Sequence, residues 1–289
     1  MKEVEEQIHL NNLTEIKTIF GSNKYVGNSL ISLNNLINIC ERIKCKNIII
    51  PYGLRTIIKN PIYYSEYNIT IFPYSYKNIL KIDIILKDKT IFHFKFKNVS
   101  FKNRLFILRN EIVNNLPKVI INKNELIIKI RSGDIFVNVI NPLYAQPPLC
   151  FYQKIINQNN FKTIKILSNG HENPVVDKLL QQYPLIKYVE STLEEAISII
   201  VNAYNMVYSV STFQRFLILF NNNLKNLYIR PFNTKNINYT IHKMIPSKKY
   251  LEIMKDKWNN TKEQLYLMIN ENCINDTIYT IFPLKKYNI

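Results

Sequence analysis

The residues best placed to do chemistry are Arg131, Gly133 and Asp134, in the run Leu126-Ile-Ile-Lys-Ile-Arg-Ser-Gly-Asp-Ile-Phe136. Ile127, Ile128 and Ile130 read as a buried strand that runs straight into the Arg131-Ser132-Gly133-Asp134 turn. A strand ending in such a turn is a common way to hold a phosphorylated ligand at the carboxyl edge of a parallel sheet. Arginine offers a planar fork of donors to phosphate oxygens, and glycine lets the backbone come close. The plain alternative is a strand end with a surface Arg–Asp pair. Glycine usage favours the first account. The chain has 5 glycines in 289 residues, well below the roughly 7% of average usage. Four of the five (Gly21, Gly27, Gly53, Gly133 and Gly170) follow or approach a strand-like run, as loops at the mouth of an α/β sheet would.

A second anion site is suggested by Gly27-Asn28-Ser29. Leu30, Leu33, Leu36, Ile37, Cys40 and Ile43 recur at helical spacing just after it. A helix start presents free amides and a positive dipole end, although Asn28 or Ser29 acting as an ordinary cap would explain the same residues. Lys46–Pro51 then reads as a short strand stopped by proline, so loop, helix and strand form half of a Rossmann-like unit.

Tyr67–Tyr74 and Ile79–Phe96 alternate apolar and polar residues, with Lys87-Asp88 as a turn. They are expected to form a β-rich insertion, a hairpin at the edge of the first domain. Arg104–Leu116 reads as a helix. Beyond Arg131 the order becomes regular: helix Pro147–Gln158, strand Phe161–Leu167, helix Pro174–Tyr183, strand Ile186–Val189. A helix Thr192–Ala203 follows, with a Ser191…Glu194 capping pattern, then strand Met206–Ser209, helix Thr212–Phe220 and strand Leu224–Ile229. Strand and helix alternating at this pitch predict a parallel sheet with right-handed crossovers. The fold class is therefore α/β, with two Rossmann-like domains facing each other across a cleft. The expected division is residues 1–124, a Rossmann-like domain with the β-hairpin insertion, residues 125–245, a second Rossmann-like domain, and a helical segment 246–289 packing back on the first domain.

Composition bounds the rest. Hydrophobic residues at 47% and charged residues at 20% describe a chain able to build real cores. No apolar run reaches the ~18 residues of a membrane span. The charged start Met1–Gln7 lacks the apolar core of a secretory signal. Cys40, Cys45, Cys150 and Cys273 show neither zinc spacing nor a dense disulfide framework. They read as reduced thiols, and the compartment as cytoplasmic. The net charge of +17 favours an anionic partner. The lysines are spread evenly, without a basic tail or a dense arginine run, and the charge does not choose between RNA, a phospholipid surface and a nucleotide sugar; nucleic acid is not the expected partner. No Asp-x-Asp pair occurs, and histidine is sparse; no metal and no cofactor is expected.

Taken together, three blocks resemble the fucosyltransferase superfamily of the GT-B fold, over roughly residues 20–230. The first is Tyr25-Val-Gly27-Asn28-Ser29-Leu30 through Pro51, where the family has a Gly-x-Gly-Asn-x-Leu loop. The second is Lys129-Ile-Arg131-Ser-Gly133-Asp134, where the family has His-x-Arg-x-Gly-Asp. The third is Ser209-Val-Ser211-Thr212-Phe213, a small-residue loop before a helix. The family histidine is Lys129 here, and the first glycine of the opening loop is Tyr25.

The resemblance implies a metal-independent, inverting glycosyltransferase that uses GDP-fucose or a related nucleotide sugar on a glycan or protein hydroxyl. Residues 1–124 would form the acceptor side and residues 125–245 would bind the nucleotide sugar. Arg131 would hold the β-phosphate of the donor and Gly133 would permit the turn. Asp134 would orient Arg131 or act as base. Gly27, Asn28 and Ser29 would face donor or acceptor, and Ser209, Ser211 and Thr212 would bind phosphate or ribose. Lys129 either points inward as a phosphate-facing cation or projects to solvent. Tyr144 and Gln146, in a proline-rich loop, either touch the acceptor or only pack, and His171-Glu172 either meets the base or makes a turn pair. The competing accounts are a member of the same fold that binds without turnover and a basic nucleic-acid-binding protein.

Overall fold

The computed structural model describes residues 18–21, 26–65, 68–78, 80, 82, 84–86, 109, 112–137, 141–229, 240–243, 247–255 and 257–273. The chain divides into two compact units, Met1–Pro117 and Lys118–Ile289. Each is α/β with a mainly parallel sheet.

In the first unit the order is β1 (Thr18–Gly21), α1 (Val26–Arg42), β2 (Asn47–Ile49), β3 (Ile62–Tyr64), β4 (Ile69–Phe72) and β5 (Ile84–Leu86). The sheet runs β3-β4-β2-β1-β5, parallel throughout except that β3 pairs antiparallel with β4. Helix α1 buries Leu30, Leu33, Leu36, Ile37 and Cys40 completely, the stripe that its periodicity predicts. Lys44, in the left-handed region at φ 55°, ends it.

Strands expected in a separate hairpin are instead part of the main sheet. β4 lies beside β2 and β5 beside β1, both parallel. The observed hairpin is β3–β4 on one edge. The residues expected to close a hairpin after Leu86 lie outside those described, as does most of the Arg104–Leu116 helix.

The second unit contains β6 (Glu125–Lys129), α2 (Asp134–Val137), α3 (Leu149–Asn157), β7 (Thr163–Leu167), α4 (Pro174–Gln182), β8 (Ile186–Tyr188), α5 (Leu193–Asn202), β9 (Asn205–Tyr208), α6 (Thr212–Leu217), β10 (Asn226–Ile229), β11 (Thr240–Lys243), α7 (Lys248–Met254) and α8 (Lys262–Asn270). The six strands are ordered β11-β10-β9-β6-β7-β8, every pair parallel. This is the doubly wound order in which strand order reverses between the first and fourth strands, here β6 and β9. One face of the sheet, with Leu126, Ile128 and Ile166, packs against Phe151, Tyr152, Ile155, Val175 and Leu179. The alternate residues Ile127 and Met206 are equally buried, so the central strands read as continuous apolar runs.

The described part of the helical tail belongs to the second unit, with Tyr250, Met254, Trp258, Leu267 and Met268 in its core. The indole N–H of Trp258 donates to Ile135 O at 3.0 Å, and its ring meets Phe136 edge-on at 5.2 Å. A tryptophan with both its ring and its donor satisfied inside one core has little reason to leave it. The cysteines of both units, expected as reduced thiols, are instead paired. Cys40 pairs with Cys45 and Cys150 with Cys273, with Cα separations of 4.8 and 5.6 Å. The turn after α1 folds Cys45 back, its amide donating to Cys40 O at 2.9 Å. α8 packs on α3 and α4, which carries Cys273 to Cys150. Among the described residues no helix is long and apolar enough to cross a membrane.

The helix cap falls one residue later than the sequence pattern suggests. Thr192 is the N-cap of α5 and forms a full capping box with Glu195, not Ser191 with Glu194.

Candidate functional site

Arg131 leaves the carboxyl end of β6, and its loop is held from three directions by residues that follow β7. Gly133 has φ +65°, and a Cβ there would lie 2.6 Å from the Asn169 amide nitrogen. Glycine is therefore required on both conformational and steric grounds. Asn169 brackets Ser132, accepting from its N–H at 3.1 Å and donating to its carbonyl at 3.2 Å. Asn173 donates to Arg131 O at 3.0 Å while its carbonyl oxygen caps α4 by accepting from Val175 N–H. Glu172 accepts from the Ser132 hydroxyl at 2.8 Å and from Gly133 N–H at 2.9 Å. The Ser132 hydroxyl in turn accepts from Asn173 N–H at 2.8 Å. The carboxyl of Glu172 is held below its usual range, chiefly by its own backbone N–H, then by the Ser132 hydroxyl and Gly133 N–H.

With the backbone fixed, the Arg131 side chain is clamped as well. One terminal nitrogen donates to both oxygens of Asp134, at 3.1 and 3.4 Å. Its guanidinium carbon sits 4.1 Å from the centre of the Tyr144 ring, a stacking that arginine favours. The Arg131 side chain keeps 18% of its surface exposed and Asp134 45%, so this pair opens to solvent at the sheet edge. Both Asp134 bonds run to one guanidinium nitrogen, leaving most of the fork's donors for another oxyanion.

Lys129 points inward. Burial pushes its ammonium down to about 8, with the Arg131 charge contributing in the same direction, and its Nζ donates to Ile130 O at 3.3 Å. In register it is paired with Leu167 on one side and Tyr208 on the other. Beyond Tyr208, Ser209 is completely buried, and its hydroxyl has no hydrogen-bond partner among the described residues. Gln214 fixes this loop, accepting from Ser209 N–H and donating to Val207 O at 2.8 Å. The Tyr208 hydroxyl donates to Ser211 O at 3.1 Å. Thr212 begins α6. The carboxyl ends of β6 and β9 thus bring Lys129, Arg131 and the Ser209–Thr212 loop to the point where the strand order reverses.

Three other expected site residues belong to the first unit. Gly27, Asn28 and Ser29 occupy the first turn of α1 in the first unit. Ser29 is wholly buried. Gln146 is also wholly buried, and its amide donates to Tyr144 O at 2.8 Å. It braces the loop from inside, whereas Tyr144 is the residue that meets Arg131. His171 stacks on Tyr188 with centroids 4.5 Å apart, and its Nδ1 lies 2.6 Å from Asp177. Glu172 does not make a simple turn pair with it but reaches back 39 and 40 residues to the Arg131 loop. Asn169 and Asn173 were not expected in the site. The sequence carried a signal for the second, since Asn before Pro is a helix start. Among the described residues no group of three or more His, Cys, Asp or Glu is placed to hold a metal ion.

No protein-family model matches the chain, and no curated protein matches it. Among solved structures, the E. coli heptosyltransferase WaaC with ADP-2-deoxy-2-fluoro heptose is similar at 10% identity and a TM-score of 0.45, covering 78% of this chain and 92% of that one. NodZ alpha-1,6-fucosyltransferase, soaked with GDP-fucose, is similar at 9% identity and a TM-score of 0.40, covering 71% and 93%. Overlaps of this size assign neither activity nor substrate.

Proposed function

We propose that the second unit holds the diphosphate of a nucleotide-sugar donor at the carboxyl ends of β6 and β9, and that the chain is a metal-independent, inverting GT-B glycosyltransferase. The observation that carries this is the placement of two cations, Lys129 and Arg131, where the strand order reverses; ligands of doubly wound sheets bind at that crevice. An acceptor hydroxyl oxygen attacks the anomeric carbon and gives up its proton to water, the bond to the diphosphate breaks, and the diphosphate leaves with the electron pair. Negative charge grows on the leaving group, and preorganised cations there lower the barrier. Arg131, clamped by Asp134 and Tyr144, meets that charge with little reorganisation. Asp134 is its positioning residue, and Lys129 adds a second positive charge from within the sheet. The buried Ser209 hydroxyl is a further donor at the same edge. By resemblance of the motifs the donor is a GDP-sugar, fucose or a relative, and the acceptor a glycan or protein hydroxyl.

A second reading, a protein on this fold that binds without turnover, is favoured by Glu172. Its carboxylate takes the Gly133 N–H and Ser132 hydroxyl, two donors that a phosphate would otherwise use. Incubation with GDP-fucose in the presence of EDTA tests both. Release of GDP that is lost in Arg131→Ala supports the transferase. GDP binding without any release supports the binder.

A further inference from the structure

At the opposite edge of the second unit's sheet, the loops leading into four strands line an open pocket of about 330 Å³, at the lower end of the roughly 300–1,000 Å³ common for ligand sites. Lys123 and Asn124 precede β6, Asn160 and Phe161 precede β7, Tyr204 precedes β9 and Lys225 precedes β10. The walls are tied down by amide side chains. Asn205 is buried and donates to Lys123 O at 2.8 Å and Glu125 O at 3.0 Å, while accepting from Asn226 at 2.8 Å. Asn159 accepts from the Tyr228 hydroxyl at 3.1 Å and donates to Ile155 O at 2.8 Å. Lys225 and Asn226 amides both donate to Tyr204 O.

The charge of this pocket is one-sided. No carboxylate lines it. The nearest in sequence, Glu125, is buried and engaged by Lys165 at 3.0 Å and by Thr163 at 3.0 Å. Lys123 and Lys225 are exposed at the rim and have no ion-pair partner among the described residues. Two ammonium groups, neutral amides and the rings of Phe161 and Tyr204 form a mixed surface. Ammoniums suit an anionic group, amides suit hydroxyls that both donate and accept, and aromatic rings suit the C–H face of a sugar.

From this we infer that the amino-edge pocket is a second binding site, for a single sugar residue bearing a phosphate or a carboxylate. It is independent of the donor site, since it lies at the other end of the same strands and shares no residue with it. Its occupant is either a free sugar phosphate or an acidic residue of a larger glycan.

Amide and side-chain NMR titrations of the full chain test this with glucose 6-phosphate, glucuronate, glucose and inorganic phosphate, on the wild type, Lys123→Ala/Lys225→Ala and Arg131→Ala. The inference predicts shifts at the Asn160, Asn205 and Asn226 side-chain amides with glucose 6-phosphate or glucuronate. It also predicts at least tenfold weaker binding in the lysine double variant and none of that loss in Arg131→Ala. Tighter binding of glucose 6-phosphate assigns a free metabolite, and tighter binding of glucuronate assigns a glycan residue; both support the site. Equal binding of glucose would overturn the anionic part, and equal binding of inorganic phosphate would overturn the sugar part. Absence of shifts at these amides would overturn the site altogether. Because both substituted lysines are exposed, the double variant should melt within a degree or two of the wild type, and that melt checks the comparison.

Discussion

Arg131 is only as well aimed as the backbone that carries it, and that backbone depends on Gly133 and Glu172. In Gly133→Ala a side chain must occupy a left-handed conformation and displace Asn169; a loss of about 1–3 kcal/mol is expected, read by urea unfolding. Glu172→Gln keeps the size of the side chain and removes its charge. Because the folded carboxyl is held below its unfolded value, its contribution is present at neutral pH and is lost as pH falls through the folded value. The variant should therefore melt below the wild type at pH 7, with the gap closing below about pH 4. The effect should be modest, since the carboxylate is exposed and solvent screens it.

Lys129 has the opposite sign. Its folded value is about 8 against 10.5 unfolded, so below pH 8 both states hold the proton and burial penalises the folded one. Between these values the folded chain sheds the proton first, and stability rises with pH. Lys129→Met should melt above the wild type at pH 7, and the difference should shrink by pH 10. A gap that does not change with pH would mean that the ammonium is not desolvated. A half-buried, desolvated cation fits a residue retained for a ligand.

At the scale of elements, α4 and α5 separate a structural cap from a functional one. Thr192 caps α5 and touches nothing in the site; Thr192→Ala should cost about 1 kcal/mol and leave nucleotide affinity unchanged. Asn173 caps α4 and also holds Arg131 O, so Asn173→Ala should cost as much in stability and weaken nucleotide binding too, as calorimetry can show. These elements were largely legible in the sequence. The apolar runs Ile164–Leu167 and Asn205–Tyr208 are short, bounded by turn residues and separated by helical periods, and their ends were placed within about two residues. The Arg131 turn was found because a scarce glycine marks it. The reach of Glu172 and Asn173 over about forty residues was hidden, because local pattern says nothing of which loop a side chain crosses to. The Cys150–Cys273 pair and the pocket at the amino edge were hidden for the same reason: both are assembled by the packing of distant segments, not by spacing along the chain. β5 was misplaced because an alternating run looks the same in an edge hairpin and in a sheet with one exposed face.

For the whole molecule, the last described helices are part of the second unit's core and not a later addition. Trp258 is fully buried, and Trp258→Ala should cost about 3–5 kcal/mol. Cys150 and Cys273 close a loop spanning 123 residues, for which a disulfide typically contributes about 2–4 kcal/mol. Reduction should therefore lower the melting temperature of the second unit, and Cys273→Ser should remove most of that sensitivity. The central claim, that the crevice between β6 and β9 takes a nucleotide diphosphate through Arg131, is tested most directly by thermal stability with GDP, UDP, dTDP and CMP on the wild type and Arg131→Ala. A ligand at a hundred times its dissociation constant adds about 2.7 kcal/mol to the folded state. The expected result is a shift of the wild type by one nucleoside diphosphate, GDP, that disappears in Arg131→Ala. A wild type that none of the four stabilises, or a shift that survives intact in Arg131→Ala, would contradict it.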